Sequence, residues 1–208
     1  MDGLLLVTER VMLEVGIKMA AERGVQEDQA TPFFLSLIGS SSDWTRERTA
    51  EFFPADGARF YDDWYVQVGA RLATQIPLRP TVRKTLSLLY RDGARMAVVT
   101  LTKGDMARAH LQHAGVLGYF EAVIGGDEVS ANKPDPAPYQ EAAERLGLKA
   151  EDCAVFEDSD RGIASAVRAE CHAVQIPDRR PENTPLPELG QNVTATLEEA
   201  VELVRHPS

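Results

Sequence analysis

The sequence predicts an α/β fold: a Rossmann-like parallel sheet core carrying an inserted α-helical cap domain. Three observations predict it. Residues 8–76 repeat apolar side chains every three or four positions, and residues 80–204 alternate helix-period segments with short apolar runs. A connector with two prolines, Ile76-Pro77-Leu78-Arg79-Pro80, separates the two rhythms and reads as a hinge. The chain has 208 residues, which at roughly 150 per domain suits one large domain or one domain with an insert.

In the first region Val11, Val15 and Met19 share helical spacing, as do Phe34, Leu35, Leu37 and Ile38, and then Phe60, Trp64, Val68 and Leu72. Thr31-Pro32 has the form of a helix start, and the polar run 39–43 is a loop suited to capping the next helix. Beyond Pro80, helices are expected over 82–90, 105–114, 138–146, 163–169 and 197–204. Strands are expected over 94–100, 122–124, 153–156 and 173–176, and residues 177–187 read as a proline-bearing loop. Short continuous apolar strands alternating with helices imply a parallel sheet covered on both faces. Residues 1–7 and 80–208 are therefore expected to form the core, with 8–79 as the cap and its hinges.

Composition narrows the function classes. Against 22 Lys+Arg stand 32 Asp+Glu, a net charge of −10, which disfavours nucleic-acid backbones and anionic membrane surfaces. No run approaches the roughly 18 apolar residues of a membrane span. The opening Met1-Asp2-Gly3-Leu4-Leu5-Leu6-Val7 lacks the basic start of a signal peptide. Cys153 and Cys171 are too few for a disulfide framework or a zinc site. The expectation is a cytoplasmic protein, a monomer or weak dimer.

Ligands of parallel α/β sheets sit at the carboxyl ends of the strands, so the polar residues that follow each apolar run are the candidates. Thr100 ends one run and leads through Leu101-Thr102-Lys103-Gly104 into a helix, an arrangement for seating an anion. A simple N-cap or turn has the same look. Lys133, in Asn132-Lys133-Pro134-Asp135-Pro136, is held extended by the following proline and offers a fixed point charge for phosphate, although a solvated surface lysine fits equally. Glu157-Asp158 closes the run 153–156; adjacent carboxylates there call for a proton, a helix N-terminus or a cation such as Mg²⁺, or else simply cap the next helix. Asp2 before Gly3 is either a further strand-end acid or part of a frayed terminus. Acid, hydroxyl, lysine and acid pair in this order describe a phosphate-plus-magnesium site.

These runs resemble the four motifs of the haloacid dehalogenase superfamily: Met1-Asp2-Gly3-Leu4-Leu5, Val98-Val99-Thr100, Lys133-Pro134-Asp135-Pro136 and Phe156-Glu157-Asp158-Ser159-Asp160-Arg161-Gly162-Ile163. A helical insert between the first two motifs resembles the phosphatase and β-phosphoglucomutase-like branch. The resemblance implies an aspartyl-phosphate mechanism on a small phosphorylated metabolite, of the sugar or nucleotide monophosphate class. It makes Asp2 the general acid and base, Thr100 and Lys133 the holders of the phosphoryl group, and Glu157, Asp158 and the Asp2 main-chain oxygen ligands of Mg²⁺.

Several positions depart from the family pattern. The nucleophilic Asp belongs two residues before Asp2, one position ahead of Met1, so neither it nor the apolar strand leading to it lies within the 208 residues. The expectation is that the native protein starts several residues upstream with such a strand, the alternative being an inactive phosphate- or partner-binding protein. Val7 replaces a common acid, Leu101 a small or polar residue, and Glu170 a helix-ending glycine, the last at about 1 kcal/mol if φ is positive there. Met12 and Ser42 stand where the phosphomutases carry a His and an Arg, which makes a monophosphatase the better reading and a sugar phosphomutase a second alternative.

Overall fold

Four helices account for the first region of the structure, a computed structural model that describes residues 1–38, 40, 42–73, 76–178 and 185–206. They are α1 (Thr8–Ala21), α2 (Glu27–Ser36), α3 (Ser42–Phe52) and α4 (Gly57–Leu72). Their apolar stripes meet in an aromatic cluster. Phe34 packs edge-on against Trp64 at 5.0 Å between ring centres, Phe53 stacks on Phe60 at 4.0 Å, and the Trp64 indole N–H donates to the Met12 oxygen at 2.9 Å. Gly16 lets α2 approach α1, since a Cβ there would lie 2.6 Å from the Phe34 ring. The start expected at Thr31-Pro32 is corrected: α2 begins at Glu27 and Pro32 lies inside it. Glu27 and Asp28 favour the helix N-terminus at that earlier point, while Pro32 takes an exposed position opposite buried Ala30 and Phe34. Residues 39 and 41 of the expected capping loop lie outside the described residues, as do 179–184 of the loop expected over 177–187.

The remaining elements form a second compact unit, made of Met1–Leu6, Pro77–Asp178 and the described residues from 185 onward. Helix α5 (Val82–Arg91) ends in a turn at Gly93 with φ 76° and leads to β1 (Ala97–Val99). Then follow α6 (Gly104–His113), β2 (Ala122–Ile124), α7 (Ala137–Arg145), β3 (Ala154–Glu157), α8 (Asp160–Arg168), β4 (His172–Gln175), β5 (Asn192–Val193) and α9 (Leu197–Arg205). All strand pairs are parallel, β1 with β2, β3 with β4 and β4 with β5. Strand β5 escapes sequence pattern because it is two exposed residues long and carries no apolar run.

The strands form two sheets, where a single sheet was expected: β1-β2 and β3-β4-β5. Among the described residues, no strand covers the second edge of β1 or of β3. A cavity of about 310 Å³ is lined by both strands, with Val98, Val155 and Phe156 on its walls beside Ala143, Leu146 and Leu197. The burial of β3 accordingly alternates instead of being continuous, with Val155 and Glu157 buried and Ala154 and Phe156 half-buried. Val155 also joins Tyr139, Ile163, Ala166, Ala169 and Ala173 in an apolar cluster that fixes α7 and α8 to the sheet. No helix among the described residues is long and apolar enough to cross a membrane.

Candidate active site

Asp2 sits in a tight loop. The Met1 oxygen accepts from the amides of Leu5 and Leu6 at 2.8 and 3.2 Å, and Gly3 turns the chain with φ 73°. Positive φ is open to glycine without a Cβ penalty, which explains the Asp-Gly pair. The Thr102 hydroxyl donates to the Asp2 carboxylate at 2.8 Å, and the Thr102 amide donates to the Thr100 hydroxyl oxygen at 3.2 Å. Asp2 is thus pinned beside the end of β1 instead of fraying. Thr102 is a residue the sequence reading quoted only as part of a loop; its signal is a second hydroxyl two positions after the strand-end threonine.

Lys133 is not a solvated charge. It is 5% exposed, and its ammonium donates to the Val99 oxygen at 3.1 Å and to the Glu157 carboxylate. It also lies 4.9 Å from the centre of the Tyr139 ring. The Tyr139 hydroxyl donates to the same Glu157 oxygen at 2.5 Å. The other Glu157 oxygen accepts from the Ser159 hydroxyl at 3.2 Å, and that hydroxyl oxygen in turn accepts from the Gly162 amide at 3.1 Å, capping α8. Ser159, then, is the residue that caps the helix, and Glu157 is its buried neighbour. Burial works against the Glu157 charge, yet the Lys133 ammonium and the hydrogen bonds from Lys133 and Tyr139 outweigh it and hold the carboxyl down at about 2. Tyr139 carries no local signal in the sequence, since a tyrosine on the buried face of a helix reads as core until its partner is known.

Asp158 differs from its neighbour. It is half-buried, and burial followed by the Glu157 charge pushes its carboxyl up to about 7. The two acids thus separate into a counter-ion for Lys133 and a carboxylate in want of positive charge. Among the described residues no three His, Cys, Asp or Glu side chains gather to hold a metal ion. Magnesium does not need three: it commonly keeps several waters and takes one or two carboxylates plus substrate phosphate. Asp158 fits that demand, whereas Glu157 has both oxygens engaged by hydrogen bonds.

The structure therefore brings Asp2 and Thr100 together through Thr102 at the end of β1, and Lys133 and Glu157 together at the end of β3. The Val99 oxygen, one residue before Thr100, joins the two groups. A cation, hydroxyl and amide donors, and carboxylates in two protonation tendencies suit a phosphate dianion and its proton transfers.

Comparison with known proteins points the same way. Residues 1–176 match the haloacid dehalogenase-like hydrolase family. The chain is 34% identical over 122 residues to the phosphoglycolate phosphatase of Vibrio parahaemolyticus, covering 59% of this chain and 52% of that protein. It is 41% identical over 81 residues to the fructose-1-phosphate phosphatase YqaB of Escherichia coli, covering 39% of this chain and 43% of that one. These matches span about half the length of each relative. In fold, the chain superposes on a crystal structure of a predicted phosphoglycolate phosphatase from Haemophilus somnus with a TM-score of 0.82 at 20% identity, over 98% of this chain and 95% of that one.

Proposed function

This chain belongs to the haloacid dehalogenase-like hydrolases, and from that premise we propose that it is a Mg²⁺-dependent phosphomonoesterase acting on a small phosphorylated metabolite. The observation that carries the proposal is the buried Lys133 ammonium, held between the Val99 oxygen and Glu157 beside Thr100. Burying an ammonium at the strand ends is costly even when it is paired, and a phosphate dianion is a second anion for it to serve beside Glu157. Phosphoglycolate and fructose-1-phosphate, named for the two relatives, are both small phosphorylated metabolites and support that substrate class.

In this reading Lys133 and the Thr100 hydroxyl hold non-bridging phosphoryl oxygens and stabilise charge as it spreads over them. Asp2 protonates the leaving oxygen as its bond to phosphorus breaks, then takes a proton from the water that releases phosphate. Thr102 keeps that carboxylate aimed. Asp158 and the Asp2 main-chain oxygen would hold Mg²⁺, which when bound neutralises phosphate charge and fixes its orientation. Glu157 serves chiefly to orient Lys133. In the aspartyl-phosphate route the phosphoryl-accepting carboxylate belongs two residues before Asp2, a position that residues 1–208 do not include. The four-helix unit corresponds, in this reading, to the family's cap, and the cytoplasm is the compartment proposed for the chain.

Phosphate release from p-nitrophenyl phosphate with and without Mg²⁺ tests the proposal, on residues 1–208 and on the chain extended by its upstream codons. Turnover is expected from the extended chain and not from Lys133→Met within it. Absence of turnover from both forms would leave the inactive phosphate- or partner-binding protein as the surviving reading.

A further inference from the structure

The main chain of the loop that carries Lys133 takes three side-chain donors from one helix. Helix α8 presents Arg161, Ser165 and Arg168 at intervals of four and three residues, which places them on one face over successive turns. Each donates to the main chain of the same short segment. Arg161 reaches the Lys133 oxygen at 2.9 Å, Ser165 the Asp135 oxygen at 2.5 Å, and Arg168 the Pro134 oxygen at 2.8 Å. Three consecutive carbonyls thus take side-chain donors from a single helix face. Side chains of the segment add the Asn132 amide donating to the Gly126 oxygen at 3.0 Å and the Asp135 carboxylate accepting from the Ala137 amide at 2.9 Å, but its own main chain brings few bonds. Pro134 and Pro136 bring no amide, and the Asp135 amide makes only a local bond to the Asn132 oxygen at 3.0 Å.

We infer that Arg161, Ser165 and Arg168 are positioning residues for Lys133, a brace that sets where its ammonium stands; this rests on the phosphatase reading for its consequence but not for its geometry. The same helix is capped by Ser159, which also holds Glu157. One rigid element therefore fixes both partners of the Lys133–Glu157 pair, the acid through its first turn and the lysine through its side face. Without the brace, the lysine loop loses three main-chain anchors while the carboxylate stays, and a displacement of well under 1 Å is enough to spoil a phosphate seat. Arg161 and Arg168 spend their charges on neutral oxygens and, among the described residues, have no ion pair in the salt bridges of the chain. That use of two guanidinium groups is unneeded for folding a surface helix and makes sense for holding a loop.

The test uses the full chain with Arg161→Ala, Ser165→Ala, Arg161→Lys and, as a stability control, Val167→Ala, whose side chain packs against the apolar cluster and has no donor to offer the loop. Two quantities are read: hydrogen exchange of the Lys133 ammonium by nitrogen-15 NMR, and the Kd for inorganic phosphate in the presence of Mg²⁺. Arg161→Ala and Ser165→Ala are each expected to raise both by about tenfold, the scale of one lost hydrogen bond. Arg161→Lys, which keeps a donor, is expected to recover most of the change. Val167→Ala is expected to lower Tm and leave both readings alone. Unchanged ammonium exchange in the two brace variants, or an equal change in Val167→Ala, would overturn the inference. Wild type that fails to bind phosphate would count against the phosphatase reading alone, since ammonium exchange still decides the brace.

Discussion

Lys133 and Glu157 form a buried ion pair whose cation also takes the Val99 oxygen at 3.1 Å, so one side chain ties the end of β1 to the end of β3. Those strands lie in different sheets and share no ladder. The pair consequently has a structural duty besides any chemical one.

Breaking it from one side should be costly. Lys133→Met leaves a buried carboxylate without its partner and is expected to lose about 3–5 kcal/mol in denaturant unfolding, much of it recovered when Glu157→Gln is added. The Glu157 carboxyl sits near 2 in the folded chain against an ordinary value of 4.5, so its stabilisation is complete above 4.5 and fades as pH falls toward 2. Glu157→Gln should flatten the stability profile across that window. A steep acid limb unchanged in the variant would refute the assignment.

Asp158 carries the opposite sign. Its carboxyl is raised to about 7 from 3.8, so the folded chain favours the protonated form and loses that advantage as pH rises through 7. Asp158→Asn should therefore raise Tm at pH 8 in metal-free buffer, by about 2–4 °C for each kcal/mol relieved, with little effect at pH 4. Adding Mg²⁺ should raise the Tm of wild type and not of the variant; stripping it with a chelator should reverse the gain. Equal responses of both proteins to Mg²⁺ would exclude Asp158 as a ligand.

Gly162 is required by proximity. A Cβ there would stand 2.2 Å from the carboxyl carbon of Glu157, so Gly162→Ala must displace the acid and is expected to cost about 1–3 kcal/mol by thermal unfolding. Gly69, inside α4 with nothing within 4 Å of an added Cβ, offers the contrast. Gly69→Ala should stabilise by about 0.5–1 kcal/mol.

Glu170 has φ 64° just past α8, and Thr81 has φ 66° just before α5. Both are positions that glycine fills without strain. Glu170→Gly and Thr81→Gly are each expected to gain up to about 1 kcal/mol, read as a higher denaturant midpoint at unchanged slope. A loss in either would mean that the side chain there contributes more than its backbone strain removes.

Local pattern was enough to read most of the architecture. The helices over 82–90 and 197–204 and the strand over 122–124 differ from the observed elements by no more than a residue at either end, because each is bounded by turn residues and carries a clean period. The left-handed backbone at Glu170 was foreshadowed by the family resemblance, which puts a helix-closing glycine at that position. The helix start at Glu27 was not legible, because a proline in a helix interior is tolerated only when the packing of Ala30 and Phe34 outweighs its missing amide.

Residue order alone named Asp2, Thr100, Lys133, Glu157 and Asp158 as a set, through the succession of acid, hydroxyl, lysine and acid pair along the chain. It was silent on how they divide the work. Which acid pairs with Lys133, which is left wanting a cation, that Thr102 holds Asp2, that Tyr139 completes the ion pair, and that α8 clamps the lysine loop all depend on contacts between segments 18 to 100 residues apart. Such contacts have no period and no local signature. They arise only when the packed helices and the two sheets bring those segments within hydrogen-bond reach.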